Sequence, residues 1–399
     1  VMKKIPGVIV TNGRISYAGQ GGIRILINGK TTDYMDTASL LRDFPADNIS
    51  RVELIQQPGA EFDAEGSGPL INIILKKNVQ LGTHGNIKAY QGYDNQYEYS
   101  TSASLASYKN RLNWQVNTGY SKITNREDLF IKRKVNDAIY DQSSISPYDP
   151  INFRISGALD YYFNEKHSLG LGLRRIFTDS DRITSNSTRI LEDNLYNEIL
   201  TESNFDKERI ILNINPYYEF DDEKNKILLD FDYVAYSNEN VNNLYQVGQS
   251  NIDYNNQRYF QNGKYQILTS KLDYKRTVSE NLNWMFGIKY SDVDTDSDLN
   301  SFSENTQDVF TQNNNQSNGF LIDENIIASY VKFTSNYDKW SFSGGLRWEK
   351  STTKGTSKKP DETKSREISK LFPSASIGRK ISEKIGANIS YSYRIRRPS

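Results

Sequence analysis

From His84 onward, apolar and polar positions alternate with a period of two. Between Asn152 and Phe163, the residues Phe153, Ile155, Gly157, Leu159, Tyr161 and Phe163 share one side, while Asn152, Arg154, Ser156 and Asp160 share the other. That is the signature of a strand with one apolar and one polar face. Ile210, Leu212, Ile214, Tyr218 and Phe220 stand in the same way against Arg209, Asn213, Asn215 and Glu219. The pattern returns at Trp284, Phe286, Ile288 and Tyr290, at Trp340, Phe342, Leu346 and Trp348, and at Ile385, Ala387, Ile389, Tyr391 and Tyr393. Each run is about ten to twelve residues, which suits a tilted strand crossing a bilayer and exceeds the usual soluble strand of about five or six.

The connections alternate as well. Tyr108 to Asn110, Asn164 to His167, Asp221 to Asn225, Val278 to Asn281, Asn336 to Lys339 and Ser382 to Lys384 are short polar turns. Between them lie long segments, expected as loops: Thr124 to Pro150, Ser180 to Asn204, Asn238 to Gln261, Thr295 to Glu324 and Ser351 to Lys370. Brief turns on one side and extended connections on the other mark an outer-membrane barrel. Trp114, Tyr161, Phe163, Phe220, Tyr274, Trp284, Tyr337 and Trp340 gather beside the short turns, where an aromatic girdle would sit. The count is about thirteen strands. Because single-chain bacterial barrels use even numbers, an odd count means an unfinished barrel or a count off by one, and the unfinished barrel is the expectation.

The first 79 residues follow another pattern. Strands are predicted at Val8 to Val10, Arg14 to Tyr17 and Ile23 to Asn28, and a short helix from Asp36 to Phe44, with a capping Asp and a Pro45 stop. Two more strands, around Val52 to Leu54 and Ile71 to Leu75, flank a Gly, Ser and Pro-rich turn from Pro58 to Pro69. The expected fold class is therefore a small α+β domain, residues 1–79, ahead of an all-β transmembrane antiparallel barrel, residues 80–399. A module of this size has a thin core and needs a housing.

Composition sharpens this reading. No apolar run is long enough for a transmembrane helix, and the mean hydropathy of -0.69 is low. A barrel, whose strands are half polar, remains fully compatible with that value. The 27 tyrosines suit membrane interfaces. With no cysteine, disulfides, thiol nucleophiles and cysteine metal sites are excluded. Lys+Arg and Asp+Glu balance at 49 each, so no basic field points to nucleic acid. The opening Val1-Met2-Lys3-Lys4 leads into Ile5-Pro6-Gly7 without the apolar core of a signal peptide, so an exported chain is expected to be a processed or trimmed form.

Arg51-Val52-Glu53-Leu54-Ile55, Pro58-Gly59-Ala60-Glu61-Phe62, Gly66-Ser67-Gly68 and Ile71-Asn72-Ile73-Ile74-Leu75-Lys76-Lys77 resemble, in order, the end of the plug domain of TonB-dependent outer-membrane receptors. Ile25 to Gly29 is similar to an upstream plug strand, with Asn28 where Asp is commoner. Tyr391 to Ser399 (YSYRIRRPS) looks like a barrel-strand motif of the Bacteroidetes branch of these barrels. The resemblance implies a plug inside a barrel of about twenty-two strands, of which about thirteen are in hand. It implies a ligand-gated transporter energised through TonB of the inner-membrane complex, which imports a scarce nutrient: siderophore-bound iron, a glycan or a peptide. Outer-membrane lipid, the nutrient and a surface lipoprotein are the partners it suggests. The alternative is a surface-binding or assembly barrel without active transport. The plug signature would comprise Arg51, Glu53, Pro58, Gly59, Phe62, Gly66, Gly68 and Asn72.

No catalytic constellation or cofactor is expected. His84 and His167 fall in separate predicted turns and form no imidazole cluster. The glycines at 66, 68, 170 and 172 fit neither a phosphate loop nor a dinucleotide fingerprint, and no G-x-S-x-G elbow occurs. Asp292, Asp294, Asp296 and Asp298 are a weak calcium candidate. Ser297 stands where a calcium loop has its glycine, and Ser303 where it has its bidentate glutamate, so a solvated acidic patch is the competing reading. Gln312 to Gly319 (QNNNQSNG) reads as a flexible polar loop. Arg51, Glu53 and Glu61 either join plug to barrel wall or pair within the plug.

Overall fold

A computed structural model describes residues 8–11, 14–17, 23–27, 30–31, 49–66, 69–75, 82–94, 96–192, 195–248, 256–305, 309–383 and 385–395. The helix expected over 36–44 and the glycine at 68 lie outside these. Among the described residues there is no helix. Six short strands come first: β1 (Val8–Thr11), β2 (Arg14–Tyr17), β3 (Arg24–Ile27), β4 (Lys30–Thr31), β5 (Ile49–Ile55) and β6 (Leu70–Leu75). β1 and β2 form a hairpin, and the other four a small sheet in the order β4-β3-β6-β5, with β3 and β6 parallel.

Sixteen further strands form one antiparallel sheet. They are β7 (Gly82–Asp94), β8 (Gln96–Lys109), β9 (Leu112–Lys122), β10 (Asn125–Val135), β11 (Ala138–Tyr148), β12 (Ile151–Tyr162), β13 (His167–Glu192), β14 (Leu195–Asp221), β15 (Asn225–Gly248), β16 (Gln257–Ser279), β17 (Leu282–Glu304), β18 (Phe310–Gln312), β19 (Asn318–Tyr337), β20 (Trp340–Lys358), β21 (Asp361–Lys380) and β22 (Gly386–Ser392). The hydrogen-bonded path runs through thirteen of them from β7 to β22, with β10, β11 and β18 off it. The two end strands do not pair with one another among the described residues.

The short turns fall where the sequence places them. The turn at Asn110-Arg111, with positive φ of 53° and 67°, joins β8 to β9 and matches the twist of a two-residue hairpin. The expected loops are different from the reading. β13 and β14 are 26 and 27 residues long and stay paired from His167↔Phe220 to Glu192↔Leu195. At about 3.3 Å per residue such a strand is roughly 85 Å long, against the nine to eleven residues a bilayer needs. The segments read as long loops are therefore mostly ladders that continue the membrane strands, and Thr124 to Pro150 is the hairpin β10–β11. Apolar residues in these extensions are scattered over both faces among polar ones, so they carry no sustained apolar alternation for a sequence reading to detect. His84 also lies within β7, not in a turn.

Alternation sorts the wall. Phe286, Ile288, Tyr290, Phe342 and Leu346 are exposed on the outward face, the surface a membrane would cover. Aromatic contacts line the short-turn end, among them Tyr161–Phe163, Trp284–Phe333 and Trp340–Phe342. On the inward face, Ile176, Ile211 and Val234 pack with Ile25, Ile71 and Ile73 of the small sheet in one buried cluster. The wall thus supplies the core that a module of this size lacks.

Candidate functional site

The turn between β5 and β6 is seated on the inner wall of the large sheet. It begins at the buried Pro58, and the amide of Phe62 closes it by donating to the Gly59 carbonyl at 3.2 Å. Asp63 projects between two wall cations. Lys289 Nζ reaches its two carboxylate oxygens at 2.9 and 2.7 Å, and Arg347 Nη2 reaches Oδ1 at 3.0 Å. Burial by itself would raise the Asp63 carboxyl, but Lys289, Arg347 and Arg24 outweigh it and hold the group well below the usual carboxylate range.

Arg347 is 1% exposed and donates Nε to Glu349 Oε1 at 2.6 Å, while its Nη1 approaches the Ala60 carbonyl at 3.4 Å. Glu349 Oε1 in turn accepts the Ala64 amide at 3.0 Å. One strand over, Lys332 Nζ pairs with Glu61 Oε1 at 2.5 Å. The backbone approach is tight as well: a Cβ on Gly345 would lie 2.7 Å from the Cβ of Ala60, so a bare backbone at 345 is what admits the turn.

The far side of the turn is held through its carbonyls. Arg394, just past β22, donates to the carbonyls of Asp63, Glu65 and Gly66 at 2.8, 2.7 and 2.6 Å. Glu65 and Ile395 form a parallel bridge, with Gly66 N to Ile395 O at 2.9 Å. Arg24 adds a bond to the Glu65 carbonyl at 2.7 Å. Gly66 has φ of +93°, which its lack of a side chain permits. Beside the turn, a cavity of about 70 Å³ separates it from β15 and β16 and is lined by Phe62, Asp63, Asp230, Asp232, Lys271 and Lys289 among others.

Of the predicted residues, Pro58, Gly59, Phe62 and Gly66 belong to this turn. Arg51 and Glu53 pair locally at 2.8 Å, and Glu53 also accepts from the buried Asn72 at 3.0 Å, so these three brace the small sheet. Glu61 takes the other option and pairs with the wall. Sequence reasoning missed Asp63, Lys289, Lys332, Arg347, Glu349 and Arg394. The available signal was charge on the polar face of a membrane-length strand, which at Arg347 and Glu349 recurs at i and i+2.

The aspartate run lies within β17, not in a loop. Lys358 Nζ bonds Asp296 at 2.6 Å and Asp298 at 2.9 Å, and no metal-ligating cluster exists among the described residues. Gln312 to Gly319 is ordered: Ser317 Oγ accepts the Ser301 amide at 2.9 Å and donates to the Asn313 carbonyl at 2.7 Å.

Residues 218–399 match a family described as the outer membrane protein beta-barrel family. Among solved structures, the unliganded ferric citrate transporter FecA aligns with a TM-score of 0.58 at 10% identity, covering 96% of this chain and 57% of that one. The chain therefore spans somewhat more than half of FecA. A mutant of the ferric enterobactin receptor PfeA from Pseudomonas aeruginosa aligns at 10% identity over 96% and 88% of the two chains, with a TM-score of 0.35. The alcaligin receptor FauA from Bordetella pertussis aligns at 12% over 98% and 76%, with a TM-score of 0.32. At those scores the last two carry no weight. No curated protein matches the chain.

Proposed function

We propose that this chain, whose residues 218–399 match the outer membrane protein β-barrel family, lies in the outer membrane of a Gram-negative cell and is a gated transporter whose small sheet is the plug. Residues 1–79 block the lumen, the wall from residue 80 onward encloses it, and the turn at 58–66 is the seat that keeps the plug in place. The observation that supports this is the charge arrangement at Asp63, where turn acids meet wall bases. Such pairs hold firmly while dry, and breaking one leaves a buried charge behind. They exchange partners with water once the seat is wetted, so a pull on the small sheet would be resisted until the seat opens and would meet little resistance after that.

The pull is assigned to TonB of the inner-membrane complex, and the cargo to a nutrient scarce enough to need active import, such as a ferric siderophore, a glycan or a peptide. FecA is by its description a ferric citrate transporter, which supports an iron chelate as the first cargo to try. The chain is read as a transporter and not as an enzyme. A strain lacking the protein, grown on single iron and carbon sources, tests this: growth on one source should be lost, and uptake of that source should stop when the inner-membrane proton gradient is collapsed. Uptake or surface binding that persists without the gradient would return the barrel to the surface-binding or assembly reading.

A further inference from the structure

The hairpin β10–β11 stands outside the barrel path. β11 is paired on both sides, to β10 and to the upper part of β13, whereas β10 is paired only to β11. One edge of an eleven-residue strand is therefore left open among the described residues. Almost every residue of β10 is exposed, including Phe130 at 73% and Leu129 at 47%.

Open edges are usually blunted by scattered charge. Here the signs are segregated. The strand reads Arg126-Glu127-Asp128-Leu129-Phe130-Ile131-Lys132-Arg133-Lys134, with acids before the apolar centre and bases after it. Turned about Phe130, the sequence is its own complement. An antiparallel second copy sets Asp128 against Lys132, Glu127 against Arg133, Leu129 against Ile131 and Phe130 against itself. Only Arg126 against Lys134 is unfavourable, and Arg126 already bonds Asp128 at 2.9 Å. A parallel approach would stack acid on acid and base on base.

The backbone phase agrees. The two-residue turn at Asn136-Asp137 closes on the pair Val135↔Ala138, which in such a hairpin is a hydrogen-bonded pair. Bonded and non-bonded pairs then alternate, so the odd-numbered residues of β10 face β11 and the even-numbered ones direct N–H and C=O to the open edge. Phe130, Asp128 and Lys132 are even, so the charge-matched register is also the register that satisfies the backbone. We propose that β10 is a homotypic docking edge, which pairs antiparallel with β10 of a second copy of this chain about a two-fold axis at Phe130. Because that axis is perpendicular to the sheet, the partner's β13 runs the opposite way. The two barrels then face each other through their loop ends, as copies in two apposed membranes do.

The absence of native cysteine makes the test clean. At the axis the two Phe130 Cα atoms would be about 5.5 Å apart, within disulfide reach. The full chain with Phe130→Cys, purified in detergent and mildly oxidised, should give a covalent dimer, and Ile145→Cys on β11 should not. Asp128→Lys, combined with Phe130→Cys, should reduce the dimer roughly tenfold, since two attractive cross-strand pairs become repulsive. The exchange Asp128→Lys with Lys132→Asp should restore it, as should mixing the Asp128→Lys chain with a Lys132→Asp chain. Rescue by mixing shows that each single variant is folded. Vesicles carrying the wild-type chain should cluster, and those carrying Asp128→Lys should not. Equal crosslinking at positions 130 and 145, or no rescue by the charge exchange, overturns the pairing. Dimers in detergent without clustered vesicles overturn the facing arrangement.

Discussion

Arg347 and Glu349 stand two residues apart on the inward face of β20, joined Nε to Oε1 at 2.6 Å, and each also holds the turn: Arg347 at Asp63 and Glu349 at the Ala64 amide. The pair presents the turn with one cation and one acceptor at fixed spacing. Arg347→Ala removes the Nε bond to the buried Glu349 and one of the two wall cations from Asp63. The expected cost is about 3–5 kcal/mol at the seat. It can be read from the labelling rate of a single cysteine placed at Ala60, which should rise in the Arg347→Ala background. An unchanged rate would mean that the bonds from Lys289, Lys332, Arg24 and Arg394 hold the turn without Arg347.

Gly345→Val separates space from charge. The variant keeps every charged side chain but puts a branched side chain where Ala60 already sits. The turn should lift and the Ala60 cysteine should label faster, while a distant hairpin such as β13–β14 keeps its protection from hydrogen exchange. Cells expressing it should also become more sensitive to bulky antibiotics that the outer membrane excludes, if the small sheet is the plug.

The seat should tolerate acid. Asp63 is held below its ordinary value, so its contribution is complete above about pH 4, the unfolded carboxylate range, and is lost only as the pH falls from there toward the depressed folded value. Proteolysis within 58–66 should be equally slow at pH 7 and pH 5. Acceleration at pH 5 would mean that a group other than Asp63 governs release.

The aspartate ladder should be indifferent to metal while Lys358 is present. A chelator should leave the melting temperature unchanged, and Lys358→Ala should cost no more than about 1 kcal/mol, as expected for exposed pairs. The same substitution leaves Asp296 and Asp298 without their cation, and calcium should then raise the melting temperature. The same gain in the wild-type chain would contradict the assignment.

Much of the fold was legible because a lipid-facing strand has to alternate: Phe153 to Phe163 and Trp284 to Tyr290 could be placed from spacing alone, and so could the short turns. The strand extensions were not legible, since a ladder with water on both faces needs only paired backbones, and Ser180 to Glu192 reads as loop for that reason. At the site, the glycine and proline signature located the turn, but its partners are hundreds of residues away in sequence. Lys289 and Arg347 look like ordinary lumen-facing charges until the fold brings Asp63 between them. The feature that could have identified Arg347, its opposite charge two residues on at Glu349, becomes informative only when something is known to occupy the lumen.

Ser317 tests how firmly the loop end is built. Its hydroxyl bonds the Ser301 backbone and the Asn313 carbonyl, and Ser301 is fully buried beneath it. Ser317→Ala should cost about 1–3 kcal/mol locally. Protease should then cut within Asn313 to Gln316, where the wild-type chain resists.

In the proposed transporter, the paired extensions above the apolar band have a consequence for capture. A mouth made of loose loops would have to be ordered by each molecule it received, at a cost of about 0.5–1.5 kcal/mol for each immobilised side chain. Here β13 through β17 are paired as one continuous ladder, so the wall that would receive such a molecule is stiff before anything arrives. Selectivity would then follow from fit to a preorganised wall, whose ordering cost was met when the chain folded.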